Sequence, residues 1–501
     1  MLRKTGGACA ATLLLVVTLV TASDLPLVDA VKDRNVAAVR ALLKKRVDVN
    51  AVEGDGATAL HWAVYRDDLQ MVDLMIGAGA KVNVANDLKI TPLYLAAANG
   101  NAAIVERLLK AGANPDTPSE TGVTPLMEAA RTGSAGAVRS LLAQEAKVNA
   151  KETDRQQTAL MWAAAQKHPE VTRILLDRGA DVHARTGSRN LSVMDSGQRR
   201  VKQAKDGAMV IETGGSTALF FAAQSGDVES AQMLLKAGAR VNDTASDGDS
   251  ALVRAAFTGN GAVARTLLEA GADPNAAGIG YTALHAAALR GDLQTVQALL
   301  AKGANPNLPL TRGTPVRRFG SQWVLPGTIA GATPLLVAAS YLEKEIVRAL
   351  LAGGANPALG PPNGTTPLLA AAGSAVERLA RPSDLIRYGV HDEDTPAIPR
   401  PEPDILETVR ALVDKGADVN QANETGETAL HAAAQGSLLS VIQLLADKGA
   451  KLDVKNRQGQ TPLSMTVPRI TRGSAPPNPE SAAKSKAAEE LLKKLGATPG
   501  N

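Results

Sequence analysis

The chain contains 501 residues, of which 45% are hydrophobic but only 2% are aromatic, and its 54 basic and 50 acidic residues give a formal net charge of +4. A chain of this length does not form one compact core; it divides into domains unless short repeats pack only on their neighbours. The near balance of charge argues against nucleic acid as the general partner.

The N-terminal segment has the pattern of a secretory signal peptide. Arg3 and Lys4 precede an apolar run over 8–20, and small residues at 20–22 offer a cleavage site. The apolar run is shorter than the stretch of about 20 residues that a transmembrane helix needs. We therefore predict a signal peptide over 1–23 and a periplasmic or secreted protein, with an uncleaved membrane anchor as the alternative. The single cysteine lies in this segment, so the mature chain would contain no disulfide.

A short motif then recurs along the chain. It reads Thr-Ala-Leu or Thr-Pro-Leu, once with Ser in place of Thr, and most successive copies are 32 to 34 residues apart. The copies begin at Thr58, Thr91, Thr124, Thr158, Thr217, Ser250, Thr282, Thr333, Thr366, Thr428 and Thr461. Such a period indicates helical units that stack because none can bury its apolar face alone.

The repeat over 86–116 predicts two helices joined by a tight turn. Thr91 suits an N-cap, and Pro92 suits the first helical position, where a missing N–H costs nothing. Gly100 ends this inner helix, and Gly112 suits the left-handed position after the second, outer helix. The outer helix is expected to bury Ile104, Val105, Leu108 and Leu109, which have helical spacing.

Three repeats depart from this glycine pattern. Glu145 replaces the glycine after the outer helix, and Lys167 and Leu342 replace the glycine between the two helices. A side chain in the left-handed conformation costs about 1–2 kcal/mol. We therefore expect these repeats to be less regular than the others.

These repeats resemble those of ankyrin-repeat proteins. The resemblance rests on the period and on the sequence Thr-Ala-Leu-His at 58–61, 282–285 and 428–431, and it covers 25–467 apart from three insertions. It implies an all-α fold, an ankyrin-repeat α-solenoid of about 11–12 helix-pair repeats with hairpin-like turns and three long loop insertions. It also implies a scaffold that binds another protein through its concave face and carries out no catalysis.

Capping segments are predicted at both ends of the stack. We expect an N-terminal capping repeat over 24–57 and a loop with a C-terminal capping helix over 468–501, because an open end exposes apolar surface. The repeats are expected at 58–185, 212–307, 329–373 and 405–467, and the insertions at 186–211, 308–328 and 374–404.

The first two insertions are basic. Between Arg185 and Lys205, the first insertion and its edge have six basic residues, Arg199 and Arg200 among them, against one acid, which gives +5; the second insertion has three arginines, including Arg317 and Arg318, and no acid, which gives +3. Trp323 lies beside these arginines. Either both insertions are solvated loops, or they form a pair of basic jaws for an acidic partner, since arginine can bind carboxylates bidentately. Their bases are expected about 30 Å apart, at about 10 Å for each helical layer.

The third insertion differs in charge and position. It divides the inner helix of its repeat from the outer helix, and its four basic and seven acidic residues give −3. His391 and the three acids that follow it are the nearest approach to a metal-binding cluster. One histidine beside consecutive acids is more typical of a solvated loop.

No residue pattern in the chain indicates catalysis. The motif histidines His61, His285 and His431 are expected to brace adjacent turns by hydrogen bonds. The segment 259–264 matches G-x-G-x-x-A, but it is expected between two helices instead of between a strand and a helix. We expect no catalytic residue, no cofactor and no bound metal. The alternative is a metal-dependent enzyme that uses an insertion loop.

The resemblance places a partner on turn tips and inner helices. The residues expected to contact it are Tyr65, Arg66, Arg199, Arg200, Asp247, Phe257, Tyr281, Arg290, Arg317, Arg318 and Trp323. Phe257 and Tyr281 are expected to be exposed at the centre of the groove. The alternative is that they pack on the neighbouring repeat, as Trp62 and Trp162 are expected to do.

The partner itself is predicted only by class. We expect a protein, and an acidic one if the basic insertions contact it. Nucleic acid and a small-molecule substrate are not expected, and the chain is expected to be a monomer.

Overall fold

The computed structural model describes residues 25–195, 208–313, 315–316, 329–373, 401–467 and 479–498. Contacts divide the chain into two compact units. The first unit consists of Met1–Ser188 and Gly214–Arg240, and the second of Arg189–Thr213 and Val241–Asn501. The described residues of each unit form helix pairs on the pattern that the motif predicts.

In the first unit, each motif begins an inner helix and an outer helix follows it. Two helices without a motif precede these pairs, α1 (Pro26–Lys32) and α2 (Val36–Lys44). The motif pairs are α3 (Ala59–Tyr65) and α4 (Leu69–Gly77), α5 (Pro92–Asn99) and α6 (Ala102–Lys110), α7 (Pro125–Thr132) and α8 (Ala135–Ala143), α9 (Ala159–Gln166) and α10 (Pro169–Asp177), and α11 (Ala218–Ser225) and α12 (Val228–Lys236).

The second unit continues the same pairing. Its helices are α13 (Ala251–Thr258) and α14 (Gly261–Glu269), α15 (Ala283–Arg290) and α16 (Leu293–Ala301), α17 (Pro334–Ser340) and α18 (Lys344–Ala352), α19 (Pro367–Ala372) and α20 (Glu402–Asp414), and α21 (Ala429–Gln435) and α22 (Leu439–Asp447). The last motif forms a 3₁₀ helix, Leu463–Thr466, and α23 (Pro479–Lys494) follows it.

Like helices pack side by side within each unit. In the first unit the inner helices α3, α5, α7, α9 and α11 contact one another in succession, and so do the outer helices α4, α6, α8, α10 and α12. The motif leucine lies in the core between them, as the at most 1% exposure of Leu60, Leu93, Leu126 and Leu160 shows. In the described part of the chain, no helix is long and apolar enough to cross a membrane.

The predicted helix ends are confirmed. The Thr91 hydroxyl accepts a hydrogen bond from the Tyr94 N–H at 3.1 Å, and Pro92 occupies the first turn of α5. Gly100 and Gly112 are left-handed, with φ of 73° and 89°. The four apolar residues predicted for the outer helix are buried in α6.

Residues that replace glycine keep the left-handed backbone. Glu145, Lys167 and Leu342 have φ of 58°, 60° and 57°. The helices on either side of Lys167 contain 8 and 9 residues, as do α5 and α6. The expectation of a less regular repeat at Lys167 is therefore wrong, because the left-handed turn persists despite its conformational cost.

Asparagine side chains in the turns connect successive repeats. The Asn83 amide donates to the Gly112 carbonyl at 2.9 Å, and its Oδ1 accepts from the Asn114 N–H at 2.8 Å. Corresponding pairs of bonds are made by Asn50, Asn149, Asn242, Asn275, Asn307 and Asn420. Each repeat thus holds the backbone turn of its neighbour by hydrogen bonds, in addition to packing against the neighbour's apolar face.

The first two insertions contain strands, which the sequence analysis did not predict. In the second unit, β1 (Arg189–Asp195) pairs antiparallel with β2 (Ala208–Thr213), with Arg189 opposite Thr213 and Met194 opposite Ala208. The short strand β3 (Pro315–Val316) lies on the other side of β1, with Met194 opposite Val316. Val193 in β1 and Val210 and Ile211 in β2 are β-branched residues that favour strands. The prediction of loops is therefore wrong over these residues, and the two insertions pair with each other.

The third insertion is shorter than predicted. Helix α20 begins at Glu402, inside the predicted range 374–404, because Glu402 and Asp404 supply the acidic first turn that stabilises a helix N-terminus. The segment 374–400, with His391, lies outside the described residues.

Candidate functional site

The structure describes six of the eleven residues predicted to bind a partner. Tyr65 and Arg66 belong to the first unit, whereas Asp247, Phe257, Tyr281 and Arg290 belong to the second. The other predicted residues, which are Arg199, Arg200, Arg317, Arg318 and Trp323, lie outside the described residues.

Phe257 and Tyr281 are in contact across neighbouring repeats of the second unit. Their ring centroids are 5.8 Å apart, at an interplanar angle of 41°. Phe257 is partly exposed, whereas Tyr281 is only 2% exposed. The expectation that Tyr281 is exposed is wrong, because the ring of the preceding repeat packs against it. The alternative that Phe257 packs on the neighbouring repeat is confirmed.

A buried ion pair lies beside these rings. The Asp249 side chain is 1% exposed, and its Oδ2 is 2.6 Å from Nη2 of Arg254. Burial raises the pKa of the Asp249 carboxyl to about 6, the negative charge of Asp247 adds to this rise, and the Arg254 cation opposes it. Burial also raises the pKa of the Tyr281 hydroxyl, and Asp249 adds to that shift. Asp247, Phe257 and Tyr281 thus surround one ion pair.

The sequence analysis missed Asp249 and Arg254. Asp249 stands directly before the N-cap residue, a position that is apolar in some repeats, such as Ala57 and Ile90, and polar in others, such as Glu427. A carboxylate buried at such a position needs a cation nearby, and an arginine follows within the first turns of the same inner helix. The arginine five residues after the acid was the available signal.

Arg290 has a structural contact that the sequence analysis did not predict. Its Nη2 donates to the Thr258 carbonyl of the preceding repeat at 2.8 Å, and burial lowers the pKa of the guanidinium. In the first unit, Asn99 and Ser225 donate to preceding inner helices in the same way, at 2.9 and 2.8 Å. Arg290 therefore caps the end of the inner helix before it, and its role toward a partner stays a prediction.

Tyr65 is held in place by a group of side chains at the start of the first unit. Its ring meets Trp62 edge to face, with centroids 5.6 Å apart. Lys32 Nζ lies 4.4 Å above the Trp62 ring and 2.5 Å from a Glu53 carboxylate oxygen. The Trp62 indole N–H donates to the same carboxylate. Trp62 packs on the preceding helix pair, as predicted, but it remains partly exposed, as does Tyr65.

A second fixed group lies two repeats further along the first unit. The Tyr94 hydroxyl donates to Oε1 of Glu128 at 2.7 Å, and Nε and Nη2 of Arg131 approach Oε2 at 2.7 and 2.6 Å. Glu128 is 7% exposed. Its carboxylate is thus satisfied on both oxygens, and the arginine beside it carries a compensated charge.

The large side chains of the inner helices recur at two positions of the repeat. We define the inner-helix face as the fourth and seventh residues after the capping Thr or Ser. In the first unit its positions are Trp62, Tyr65, Leu95, Ala98, Glu128, Arg131, Trp162, Ala165, Phe221 and Gln224. In the second unit Arg254 and Phe257 are partly exposed, whereas the later residues Ala286, Leu289, Val337, Ser340 and Ala370 are at most 3% exposed. Exposed large side chains therefore concentrate on the first unit and on the first repeat of the second.

Aromatic residues are confined to one side of the repeats. Within the described ranges, every Trp, Tyr and Phe lies in an inner helix or directly beside one, and the outer helices have none. The partly exposed members are Trp62, Tyr65, Tyr94, Trp162, Phe221 and Phe257. Because the chain has so few aromatic residues, their placement on the inner helices distinguishes that surface from the rest.

The motif histidines brace adjacent repeats, as predicted. In each motif histidine, Nδ1 lies within hydrogen-bonding distance of the capping Thr of its own helix. The Nε2 atoms of His61, His285 and His431 lie 3.0 to 3.1 Å from the carbonyl oxygens of Ile90, Ala332 and Gln460, respectively. Burial lowers the pKa of the His285 ring to about 4, so it is neutral at pH 7. In the described part of the chain, no group of three or more His, Cys, Asp or Glu could hold a metal ion.

Comparison with protein families identifies the repeats. A family model for ankyrin repeats, three copies long, matches 11–86, 27–119, 93–186, 197–278, 219–310 and 402–467. Among curated proteins, none matches this chain.

Proposed function

This chain belongs to the ankyrin-repeat family, and from that premise we propose that it is an exported scaffold that binds another protein through its inner-helix face and has no catalytic activity. Ankyrin repeats imply a scaffold for protein–protein interaction, which is the general part of this proposal. The specific parts of the proposal are the binding surface, the export of the protein and the absence of catalytic activity.

The placement of the aromatic residues carries the choice of surface. Tyr and Trp are favoured at the energetic centres of protein interfaces. In the described residues they lie along the inner helices, and six aromatic side chains there are partly exposed. A stack that served only to hold itself together would have no reason to keep exposed rings on one side.

The basic insertions support a second, acidic contact. Their strands pair, with Asp195 opposite Pro315, so the two segments lie together in the second unit. Arginines at 199, 200, 317 and 318 belong to these segments, and a shared basic surface would attract carboxylates. This part of the proposal rests on sequence and strand pairing.

Export is proposed from the pattern of residues 1–23, which precede the described part of the chain. N-terminal sequencing of the protein recovered from cells tests it. A mature N-terminus near residue 23 is the expected result, and an intact N-terminal segment in the membrane fraction would support the anchored alternative.

Affinity capture tests the binding surface. The full chain and a variant with Tyr65→Ala, Phe221→Ala and Phe257→Ala are used to capture proteins from a periplasmic or secreted fraction, followed by mass spectrometry and reciprocal capture. We expect one protein that the wild-type chain retains and the variant loses. A control variant changes exposed outer-helix residues, Glu106→Ala, Lys110→Ala and Arg139→Ala, and should capture normally. Equal capture by all three proteins would contradict the proposal.

A further inference from the structure

The charges on the inner-helix face of the first unit cancel one another. Its ten positions contain one acid and one base, Glu128 and Arg131, and these two are bonded to each other at 2.6 Å. At the start of the unit, Lys32 and Glu53 form a second compensated pair behind Trp62, at 2.5 Å. The ten positions of the face therefore carry no net charge.

The aromatic side chains on this face are fixed before any partner arrives. Trp62 is held by Lys32 on its ring and by Glu53 at its indole N–H, and Tyr65 stands edge-on against it. A side chain whose rotamer is already fixed loses little entropy on binding, which favours affinity. Trp62 and Tyr65 are therefore suited to anchor apolar groups.

Trp162 lies further along the face, one repeat before Phe221 and Gln224 at its end. It occupies the same repeat position as Trp62, but Thr153 stands where Trp62 has its acceptor Glu53. Its Nε1 is buried without a hydrogen-bond partner among the described residues. Tyr65 and Trp162 are three repeats apart, or about 30 Å at about 10 Å per helical layer. An extended segment of about nine residues would span this distance.

From these observations we infer that the inner-helix face of the first unit binds an uncharged, apolar-rich polypeptide segment of the partner, anchored at Tyr65 and Trp162. This inference rests on the proposed function and adds the chemistry of the ligand. It differs from the acidic ligand that the basic insertions favour, so the two surfaces would contact different parts of one partner.

Selection from a random-peptide library tests the ligand chemistry. Peptides of about twelve residues, long enough to span the face, are selected on the immobilised full chain, and enriched peptides are synthesised. We expect enriched peptides with apolar side chains and a net charge near zero. Their affinity should change less than about twofold between about 50 mM and about 500 mM salt, because no net charge is screened. Enrichment without any uncharged, apolar-rich peptide would overturn the inference, and so would acidic peptides that lose affinity when Tyr65 and Trp162 are changed.

The anchors are tested with a double variant, Tyr65→Ser with Trp162→Ser. It should bind the enriched uncharged peptides at least about tenfold more weakly, since aromatic anchors dominate such interfaces. Leu359→Ser, which changes an exposed apolar residue of the second unit, is the matched control and should bind normally. Unchanged binding by the double variant would contradict the inference.

A second variant keeps the test decisive if the double variant fails to fold. Glu128→Gln retains an acceptor for Tyr94 but leaves the Arg131 charge uncompensated. Selection on this variant should shift toward acidic peptides, with affinities that fall as salt rises. The same peptides on wild type and variant would overturn the inference.

The two proposals fail in different ways. Enriched peptides that are exclusively acidic would remove this inference and leave the scaffold proposal standing. No enriched peptide from the full chain, together with no captured protein, would contradict both.

Discussion

At the scale of the residue, single side chains decide which repeats differ from the common pattern. His285 accepts the Thr282 N–H at Nδ1, at 3.3 Å, and its Nε2 meets the Ala332 carbonyl of the next repeat. Asp249 places a buried carboxylate directly before the N-cap residue, and Arg254 compensates it. In the folded state the pKa of Asp249 is raised and the pKa of His285 is lowered. Their effects on stability therefore change in opposite directions with pH and can be measured separately.

Asp249 should make the folded state more stable as pH falls toward 5. Its folded pKa of about 6 lies above the usual value of 3.8 for an aspartate, so the folded state binds the proton first. The stabilisation is complete below the unfolded pKa and is lost as pH rises through about 6. From pH 7 to pH 5 the wild type should gain about 1 kcal/mol relative to Asp249→Asn, measured by thermal unfolding. If the difference in stability between wild type and Asp249→Asn stayed constant with pH, the Asp249 carboxyl would not have a raised pKa in the folded state.

His285 should act in the opposite direction. Its folded pKa of about 4 lies below the usual value of 6.5, because burial in the core disfavours the charged ring. The unfolded state therefore binds the proton first, and stability is lost as pH falls from 6.5 toward 4. Relative to His285→Gln, the wild type should lose about 2 kcal/mol between pH 7 and pH 5. Parallel stability curves for the two proteins would contradict this account.

At the scale of the element, the backbone conformations of the turns explain which sequence departures the fold tolerates. Lys167 keeps φ at 60° after α9, as a glycine would, and both helices of that repeat have full length. Other turns tolerate less: a Cβ on Gly278 would lie 2.6 Å from the Gly248 carbonyl oxygen of the preceding repeat. Lys167 was recognised from the sequence as a replacement for a left-handed glycine, although a less regular repeat was expected there, and the close approach at Gly278 was not predicted.

Lys167→Gly should stabilise the first unit by about 1 kcal/mol, because glycine removes the cost of the left-handed conformation. Lys110→Gly is the matched control at the right-handed end of α6, where glycine should destabilise by about 1 kcal/mol. Chemical denaturation measures both. A destabilised Lys167→Gly protein would show that this turn carries no strain.

Gly278→Ala should destabilise the second unit by more than about 1 kcal/mol, since a side chain there would force two turns apart. Gly77→Ala is the control: it ends α4 with open space around it, and alanine should be neutral or slightly stabilising there. Equal stability of the two variants would contradict the close approach of Gly278 and Gly248.

At the scale of the whole molecule, the parts that repeat were predictable and the parts that occur once were not. Caps at Thr91, glycines such as Gly112 and histidines such as His61 recur, so each copy supported the others, and the structure confirms them. The strand pairing between 189–195 and 315–316 joins segments far apart in sequence, and no local pattern predicts which segments meet.

The candidate site was predicted less completely than the fold. Choosing the inner helices identified Tyr65 and Phe257, which are partly exposed, but not the burial of Tyr281 or the helix-capping bond of Arg290. Exposure depends on which neighbour covers a side chain, and that neighbour belongs to another repeat. The acidic partner was predicted from insertion charges, which say nothing about the neutral face of the first unit.

The central claim is that the inner helices, and not the outer ones, receive the partner. Hydrogen–deuterium exchange of the full chain, alone and with the captured protein, tests it most directly. We predict slower exchange on binding in the inner helices and their turns, including α3, α7, α9 and α13, with unchanged exchange in the outer helices α4, α6 and α8. Protection confined to the outer helices would contradict the account.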